Sequence, residues 1–263
     1  MWPELGASAN QLSYAVGVLL CGTVALRLCV LSGLPTLRVL GALCAAAVLI
    51  FVGSKLLYVT EHALIPLRRP YATDPGSAAL LGEGARLPGG VLLFALGLPL
   101  LGRLFVLPWR TLGDCVMPGL GAAIVSVRTG CLLRGCCFGE RCDLPWAIRL
   151  PIGTPAYDWY IFSGAIAWPA PQTVPLHPLQ LYFIAAGTLL FALGLYWWKR
   201  RARPGEVLVK GMAFYAGTTF LIERFRAYSL PLNDWLTGVT AVSALVVWVM
   251  VLRPGIARET ETP

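Results

Sequence analysis

The sequence has few charged residues. Asp, Glu, Lys and Arg make up 13% of its 263 residues, whereas soluble domains carry about 25%. Hydrophobic residues make up 57%, and the mean hydropathy is +0.70. These values exclude an ordinary soluble enzyme or binding module as the main part of the chain.

Long polar segments are also missing. Apolar runs of about 20 residues follow one another along the chain, and each is long enough to cross a bilayer core of roughly 30 Å as a helix. The connections between them are too short for a second domain. We therefore predict one all-α, polytopic membrane domain over 1–263, with seven transmembrane helices at 11–31, 37–59, 88–107, 114–133, 178–198, 206–224 and 234–252.

No basic residue precedes the first apolar run, since the first one is Arg27. A secretory signal peptide begins with such residues, so we expect the first run to be retained as a helix. The net charge of +8 is concentrated at helix ends and does not indicate nucleic-acid binding. The densest basic cluster, at 199–210, predicts a cytoplasmic loop by the positive-inside rule. The N-terminus then lies outside and the C-terminus in the cytoplasm.

The stretch 128–182 concentrates arginine, cysteine, histidine and glutamine at the predicted outer face. Charged groups at bilayer depth cost roughly 2.5–3.5 kcal/mol each, so they usually mark function. Its middle part, 134–177, is rich in proline, which excludes a long helix, and in aromatic rings, which favour the headgroup level. We interpret 134–177, called the arm below, as a lid on the outer membrane surface. An ordinary aromatic-rich loop is the alternative.

Arg128 is the first candidate for chemistry in this stretch. A guanidinium can bind a phosphate through two parallel charge-assisted hydrogen bonds. An interfacial arginine that reaches towards lipid headgroups is the alternative. His177 and Gln180 are three residues apart and share a helix face. His177 could instead cap or pack the start of its helix.

Further candidates lie on the second and sixth apolar runs. Tyr215, Glu223 and Arg226 fall on one stripe of the sixth run, and a Glu223–Arg226 pair could be functional or purely structural. Lys55 and Tyr58 share a face of the second run. Because Lys55 lies inside an apolar run, it should face the bundle interior.

Four of the eight cysteines are close together in the arm region, in the pattern C-x4-C-C-x4-C. This spacing is not the C-x2-4-C of structural zinc sites, and no C-x-x-C redox pair is present in it. We therefore predict no metal site. Free structural thiols, or a disulfide on the oxidising outer side, both stay open for Cys131, Cys136, Cys137 and Cys142.

These motifs, taken in order, resemble those of the bacterial prolipoprotein diacylglyceryl transferases. No single motif is diagnostic, but their order is, and the matches run from about residue 50 to 226. Seven spans with the N-terminus outside is also the family topology. The matching segments are Gly53-Ser-Lys55-Leu-Leu-Tyr58, Gly89-Gly90, Arg128-Thr-Gly130 through Gly139 to Trp146, His177-Pro-Leu-Gln180-Leu-Tyr182, and Phe214-Tyr215 through Glu223 to Arg226.

The resemblance implies an enzyme that moves the diacylglyceryl group of phosphatidylglycerol onto the lipobox cysteine of a prolipoprotein signal peptide. It acts among membrane lipids on the outer side of the bacterial cytoplasmic (inner) membrane, releases glycerol phosphate and needs no metal or cofactor. Arg128 and Arg226 would hold the phosphate, Glu223 would orient Arg226, and His177 would position the arm or act as a base. The implied substrate-binding residues are Gly89, Gly90, Gly139, Gln180, Tyr215, Lys55 and Tyr58.

The sequence departs from the family pattern at four positions. The histidine usual before the diglycine is Pro88, the asparagine three residues after Arg128 is Cys131, the signature glutamate is Cys136, and an arginine of the sixth run is Thr219. The usual base is therefore missing, which leaves only His177 and His62 as histidines. Three alternatives to lipid transfer stay open: phospholipid binding without catalysis, a thiol–disulfide enzyme and, with least support, a transporter.

Overall fold

The computed structural model describes residues 2–64 and 87–227, together with a few separate residues near the C-terminus. Within these ranges the chain forms helices and no strand, so the all-α prediction is confirmed. The helices are α1 (Trp2–Leu31), α2 (Thr36–Leu64), α3 (Leu87–Phe105), α4 (Trp109–Arg134), α5 (Pro155–Phe162), α6 (Leu179–Arg200) and α7 (Glu206–Glu223).

Five of these helices, α1 to α4 and α6, are long and apolar enough to cross a membrane. This is typical of a helical membrane protein, and they coincide with the first five predicted runs. Helix α7 coincides with the sixth run but is not one of the five; it contains Glu206, Lys210 and Glu223. The sequence predicts a connecting loop at 60–87, of which residues 65–86 lie outside the described residues, as does most of the seventh predicted run.

Large apolar side chains point outwards along α1 and α2. Leu19 is 68% exposed and Leu37 is 84% exposed, as expected where lipid tails rather than protein cover a helix. Helix α4 differs, because 50% of its most apolar segment is buried inside the protein, compared with 22% of that of α1. Helix α4 is therefore the most buried of the five.

The chain divides into two compact units, and each has its own packing. The first consists of residues 1–25, 116–200 and 217–230, and the second of 26–115, 201–216 and 231–263.

In the first unit, close helix packing depends on glycine. A Cβ added to Gly121 of α4 would lie 2.5 Å from the Phe191 backbone nitrogen and 2.7 Å from the Gly187 carbonyl oxygen of α6. No larger residue fits there without moving a backbone. Helix α1 also packs on α4, where Ser126 Oγ donates to the Ser13 carbonyl at 2.8 Å.

In the second unit, α2 and α3 pack closely through the diglycine. A Cβ on Gly53 would lie 2.5 Å from the Gly89 carbonyl oxygen, and one on Gly90 would lie 2.5 Å from the Ile50 carbonyl oxygen. Gly89 and Gly90 therefore have a packing role. Their predicted role in substrate binding stays a prediction.

The start of α7 is capped by a side chain from α4 of the same unit. The buried carboxylate of Asp114 accepts the N–H groups of Gly205 and Leu208, both at 2.8 Å. The first N–H groups of a helix have no partner within the helix, and a carboxylate is a favourable acceptor for them. Asp114 therefore fixes where α7 begins.

The arm is a folded element of the first unit. Thr154 caps α5, since its side chain accepts the Tyr157 N–H, and Pro155 occupies the first helical turn, where its missing N–H costs nothing. Isolated antiparallel bridges join its two sides, such as the pairing of Ile148 with Leu176. A small core fills it, formed by Phe138, Leu150, Ala156, Tyr160 and Leu176.

Candidate functional site

Helix α4 ends after Arg134 in a left-handed turn. Gly135 has a φ of +71° and donates to the Leu132 carbonyl, while the next N–H, of Cys136, donates to the Cys131 carbonyl. Together these two bonds are a Schellman motif, which folds the chain back over the last helical turn. The motif places Cys136 next to Cys131.

Cys131, Cys136 and Cys137 form a cluster, called the thiol cluster below. Their sulfur atoms all lie within 4.8 Å of one another. Hydrogen bonds from Cys131 and Cys136, together with the charges of Arg128 and Arg226, hold the pKa of Cys137 well below its usual range, although burial acts in the opposite direction. Hydrogen bonds with Cys131 and Cys137, together with burial, raise the pKa of Cys136.

All eight cysteines lie among the described residues, and each is a free thiol. Of the four that the sequence pattern grouped together, three meet in the cluster, whereas Cys142 is buried elsewhere in the arm.

Arg128 lies one helical turn before Cys131. Its Cζ lies 3.8 Å from the ring centroid of Phe183 on α6, and a desolvated cation–π contact contributes roughly 2 kcal/mol. Its charge interacts with the thiols of Cys137 and Cys131, and with Arg226 and Glu223. Stacking uses the face of the guanidinium, so the in-plane N–H groups stay available for an anion.

Glu223 and Arg226 form a buried ion pair at the end of α7. The Arg226 Nη2 donates to Glu223 Oε1 at 2.5 Å, and its Nε donates to Oε2. The side chains are 7% and 3% exposed. Removing one partner of such a pair leaves an uncompensated buried charge. The geometry is the one that an orienting role for Glu223 requires.

Gly139 joins the arm to the residues on both sides of the site. Its N–H donates to the His177 carbonyl, the His177 N–H donates to the Glu140 carbonyl, and the Glu140 N–H donates to the Phe225 carbonyl, at 2.8–3.1 Å. A Cβ on Gly139 would lie 2.5 Å from the Cβ of His177. Glycine is therefore required at this position, which fixes the backbone at His177 and beside Arg226.

The His177 ring is held by aromatic side chains. Its Nδ1 lies 3.1 Å from the Tyr182 hydroxyl, which accepts the Trp146 indole N–H at 2.9 Å, and its ring centroid lies 4.8 Å from that of Phe225. The Tyr182 hydroxyl can donate to Nδ1, which puts the ring proton on Nε2, or it can accept from a protonated Nδ1, which leaves Nε2 as an acceptor. In either case Nε2 is the nitrogen left for a substrate.

Gln180 is fully buried, and its Nε2 donates to the Cys136 carbonyl at 2.6 Å. Within the described residues, its Oε1 and the buried Oγ1 of Thr219 have no hydrogen-bond partner. A buried polar atom without a partner costs roughly 1–3 kcal/mol. Both oxygens are suited to accept a hydrogen bond from a bound hydroxyl group.

The other predicted residues belong to the second unit. Lys55 is buried, with its Nζ 6.0 Å from the Phe51 ring centroid, and Tyr215 is also buried. Tyr58 is half-buried. Their roles in substrate binding stay predictions. The side chain of His62 lies outside the described residues.

The comparison with known families decides the class of this chain. The family model described as prolipoprotein diacylglyceryl transferase matches residues 9–253. The chain belongs to the prolipoprotein diacylglyceryl transferase family. The resemblance seen in the sequence is therefore confirmed.

Its relatives in the family include proteins named phosphatidylglycerol–prolipoprotein diacylglyceryl transferase. The protein of Paracidovorax citrulli is 28% identical over 56% of this chain and 52% of its own length. The protein of Bordetella avium is 28% identical over 70% of this chain and 67% of its own length. The protein of Dehalococcoides mccartyi is 30% identical over 62% of this chain and 55% of its own length. The chain thus spans about half to two thirds of the length of these relatives.

The family motifs indicated Arg128 and His177, but they gave no role to Cys137. They also did not predict the aromatic side chains that contact Arg128 and His177. One signal in the sequence could have found the thiol cluster. The segment Cys131-Leu-Leu-Arg-Gly135-Cys136 has a glycine where a helix could end in a Schellman motif. Such a motif brings Cys131 and Cys136, which are five residues apart, into contact. Cys137 then adds its thiol through a left-handed backbone with a φ of +59°.

Proposed function

We propose that the chain is a diacylglyceryl transferase, which moves the diacylglyceryl group of phosphatidylglycerol to the lipobox cysteine of a prolipoprotein. The observation that carries this proposal is the grouping of Arg128 with the Glu223–Arg226 pair inside one compact unit. Two guanidiniums with one carboxylate leave a net positive charge, which suits a phosphate group.

In this reaction the acceptor thiolate attacks the glyceryl carbon that carries the phosphate oxygen. A C–S bond forms as the C–O bond breaks, the electron pair leaves with glycerol phosphate, and the thiol proton passes to a base or to water. Arg128 and Arg226 stabilise the charge that develops on the phosphate. Glu223 holds Arg226 in place, and His177 presents Nε2 as the base or as a hydrogen-bond donor.

Two features of the first unit fit the donor lipid. The unpartnered oxygens of Gln180 and Thr219 match the hydroxyl groups of a glycerol headgroup. An apolar groove of about 370 Å³ lies between α1 and α4, lined by residues such as Leu12, Val16, Val125 and Leu133. Acyl chains of the lipid would occupy a groove of this kind.

The proposed setting is the bacterial cytoplasmic (inner) membrane, crossed seven times with the N-terminus outside. The basic loop at 199–210 supports a cytoplasmic position for the connection between α6 and α7. The opposite ends of α4 and α6, which carry Arg128 and His177, then face outwards. In this orientation the arm lies over the outer surface, where prolipoproteins are exposed.

A second candidate function is phospholipid binding without transfer. It is favoured by Pro88, which stands at the start of α3 where the family pattern has a histidine. A proline side chain accepts no proton, so the usual base is missing. The arginines would still bind a phosphate headgroup.

The test is a transfer assay on the purified chain in detergent, with phosphatidylglycerol and a lipobox peptide. We expect peptide mass gain together with release of glycerol phosphate. Arg128→Ala should lower the rate about 10²–10³-fold, as for loss of a donor to a developing anion. Arg141→Ala is the matched control, since Arg141 is exposed in the arm with Asp143 4.0 Å away.

Undiminished transfer by Arg128→Ala would contradict the proposed role of this residue. No transfer by the parent protein, with phosphatidylglycerol still bound, would favour the second candidate function.

A further inference from the structure

The thiol cluster has the donor set and the spacing of a metal site. Three sulfur ligands on one cation at Zn–S distances of about 2.3 Å lie about 3.8 Å apart. The sulfur atoms of Cys131, Cys136 and Cys137 already lie within 4.8 Å of one another, so about one ångström of side-chain movement closes the site. Thiolate ligands select thiophilic cations such as zinc(II) or copper(I).

Backbone and side-chain contacts hold the cysteines of the cluster in place. The Schellman motif at Gly135 fixes Cys136 over Cys131, and the Gln180 side chain binds the Cys136 carbonyl at 2.6 Å. Cys137 is held in a left-handed conformation that non-glycine residues rarely adopt. Such backbone conformations are strained and occur preferentially at ligand sites.

The charges around the cluster match a complex of zinc with three thiolates. Binding releases the three thiol protons to solvent, and the resulting complex carries a net charge of −1 by simple addition. The charge of Arg226 is compensated by Glu223. The guanidinium of Arg128 interacts with Cys131 and Cys137, so the complex would form beside a cation.

From these observations we propose that Cys131, Cys136 and Cys137 bind a thiophilic cation, zinc(II), with three protein ligands. The site is assigned from its own geometry and does not depend on lipid transfer. Linear spacing in the sequence did not indicate it, because the ligands are brought together by a helix-ending turn rather than by a zinc-binding loop.

Three ligands leave one tetrahedral position open, as in catalytic rather than structural zinc sites. The matching fourth ligand is another thiolate, and a thiol bound to zinc is deprotonated outright. This second step rests on the proposed function: the acceptor cysteine would bind at the open position and lose its proton there. It would supply the activation that Pro88 cannot.

The first experiment measures zinc on the full chain. Protein purified in detergent and kept reduced is equilibrated with zinc, desalted and analysed for metal by mass spectrometry. We expect equimolar zinc in the parent, and loss of that zinc in Cys131→Ala and Cys137→Ala. Cys142→Ala is the matched control, because it removes a buried cysteine outside the cluster and should retain zinc.

A second measurement uses only the parent protein, so its result does not depend on whether the alanine variants fold. Cysteine labelling of the reduced protein, followed by peptide mass spectrometry, should show the three cluster thiols protected by zinc and released by a chelator. Labelling unaffected by zinc, or zinc retained by both alanine variants, would overturn the site.

The second experiment tests the open position by spectroscopy rather than by turnover. Cobalt(II) replaces zinc, and the sulfur-to-cobalt absorption bands are followed during titration with a lipobox peptide or its Cys→Ser version. New absorption with the cysteine peptide alone supports a fourth thiolate ligand. No change with either peptide would overturn thiol activation at the metal while leaving the metal site intact. Failure of lipid transfer alone would count only against the proposed function.

Discussion

The two compact units each bury a carboxylate, and they use it differently. Asp114 is fully buried, accepts two backbone N–H groups and lies 4.0 Å from Arg201. Glu223 is also buried, but both of its oxygens bind the guanidinium of Arg226. The first carboxylate caps a helix, whereas the second holds a cation in the candidate site.

Comparing Asp114 with Glu223 shows how a buried charge in an apolar chain can be interpreted. A charged residue at membrane depth is often a sign of function, yet Asp114 serves the architecture because its two short hydrogen bonds come from backbone N–H groups, while Arg201 is 4.0 Å away. Around Glu223 the partners are side chains, with a second arginine, three thiols and oxygens without partners in the same unit. The nature of the partners, rather than burial alone, separates a structural charge from a functional one.

Glu223→Ala should have the largest effect on stability. It leaves Arg226 buried without its counter-charge, and breaking a buried pair in this way costs about 3–5 kcal/mol. We expect a lower unfolding temperature in detergent and loss of lipid transfer. Glu223→Gln keeps the shape and one acceptor oxygen, so it should be less destabilised. An alanine variant as stable as the parent would show that the pair contributes nothing to folding.

Asp114→Ala should have an intermediate effect of a different kind. It removes the acceptor of two buried N–H groups, which costs about 1–3 kcal/mol, while the transfer rate per folded molecule stays unchanged. Glu206→Gln is the matched control at the same helix start, because the ion pair of Glu206 with Lys210 is partly exposed and contributes about 0.5 kcal/mol or less. A specific loss of transfer in Asp114→Ala would erase the distinction between the two carboxylates.

Tyr182→Phe should have the smallest effect and should act on transfer rather than on stability. It removes the hydroxyl that binds His177 and Trp146, which costs about 0.5–1.5 kcal/mol, or a several-fold lower rate. Tyr157→Phe is the control, since it removes the hydroxyl that donates to Ala170 elsewhere in the arm. Equal transfer rates in the two variants would show that the orientation of His177 does not matter.

The helices could be predicted from the sequence because apolar runs of membrane length have few alternatives. The prediction began α4 at residue 114, whereas the helix begins at Trp109. Arg110 and Asp114 interrupt the apolar pattern there, and the role of Asp114 as a cap for α7 is a tertiary contact that no local pattern contains. The same limit applies to Gly89 and Gly90, whose close contact with α2 depends on a helix about 40 residues earlier in the sequence.

The site was predictable in part. Arg128, Glu223 and Arg226 stood out because charge is costly in an apolar run, and the Glu223–Arg226 contact follows from helical spacing. The four cysteines of the C-x4-C-C-x4-C pattern stood out as a group. Which three of them meet could not be predicted, because that depends on the left-handed turns at Gly135 and Cys137. The unpartnered oxygens of Gln180 and Thr219 could not be predicted, since a missing partner is visible only once the surroundings are known.

The backbone junction at Gly139 and Glu140 has an evolutionary consequence. Main-chain hydrogen bonds attach these residues to His177 on one side and to Phe225, beside Arg226, on the other. The exposed tip of the arm, around 163–169, takes no part in these bonds. Its length can therefore change while the backbone at His177 and beside Arg226 keeps its position. Under the proposed function, such a change would alter the surface of the arm without moving the residues proposed to hold the lipid headgroup.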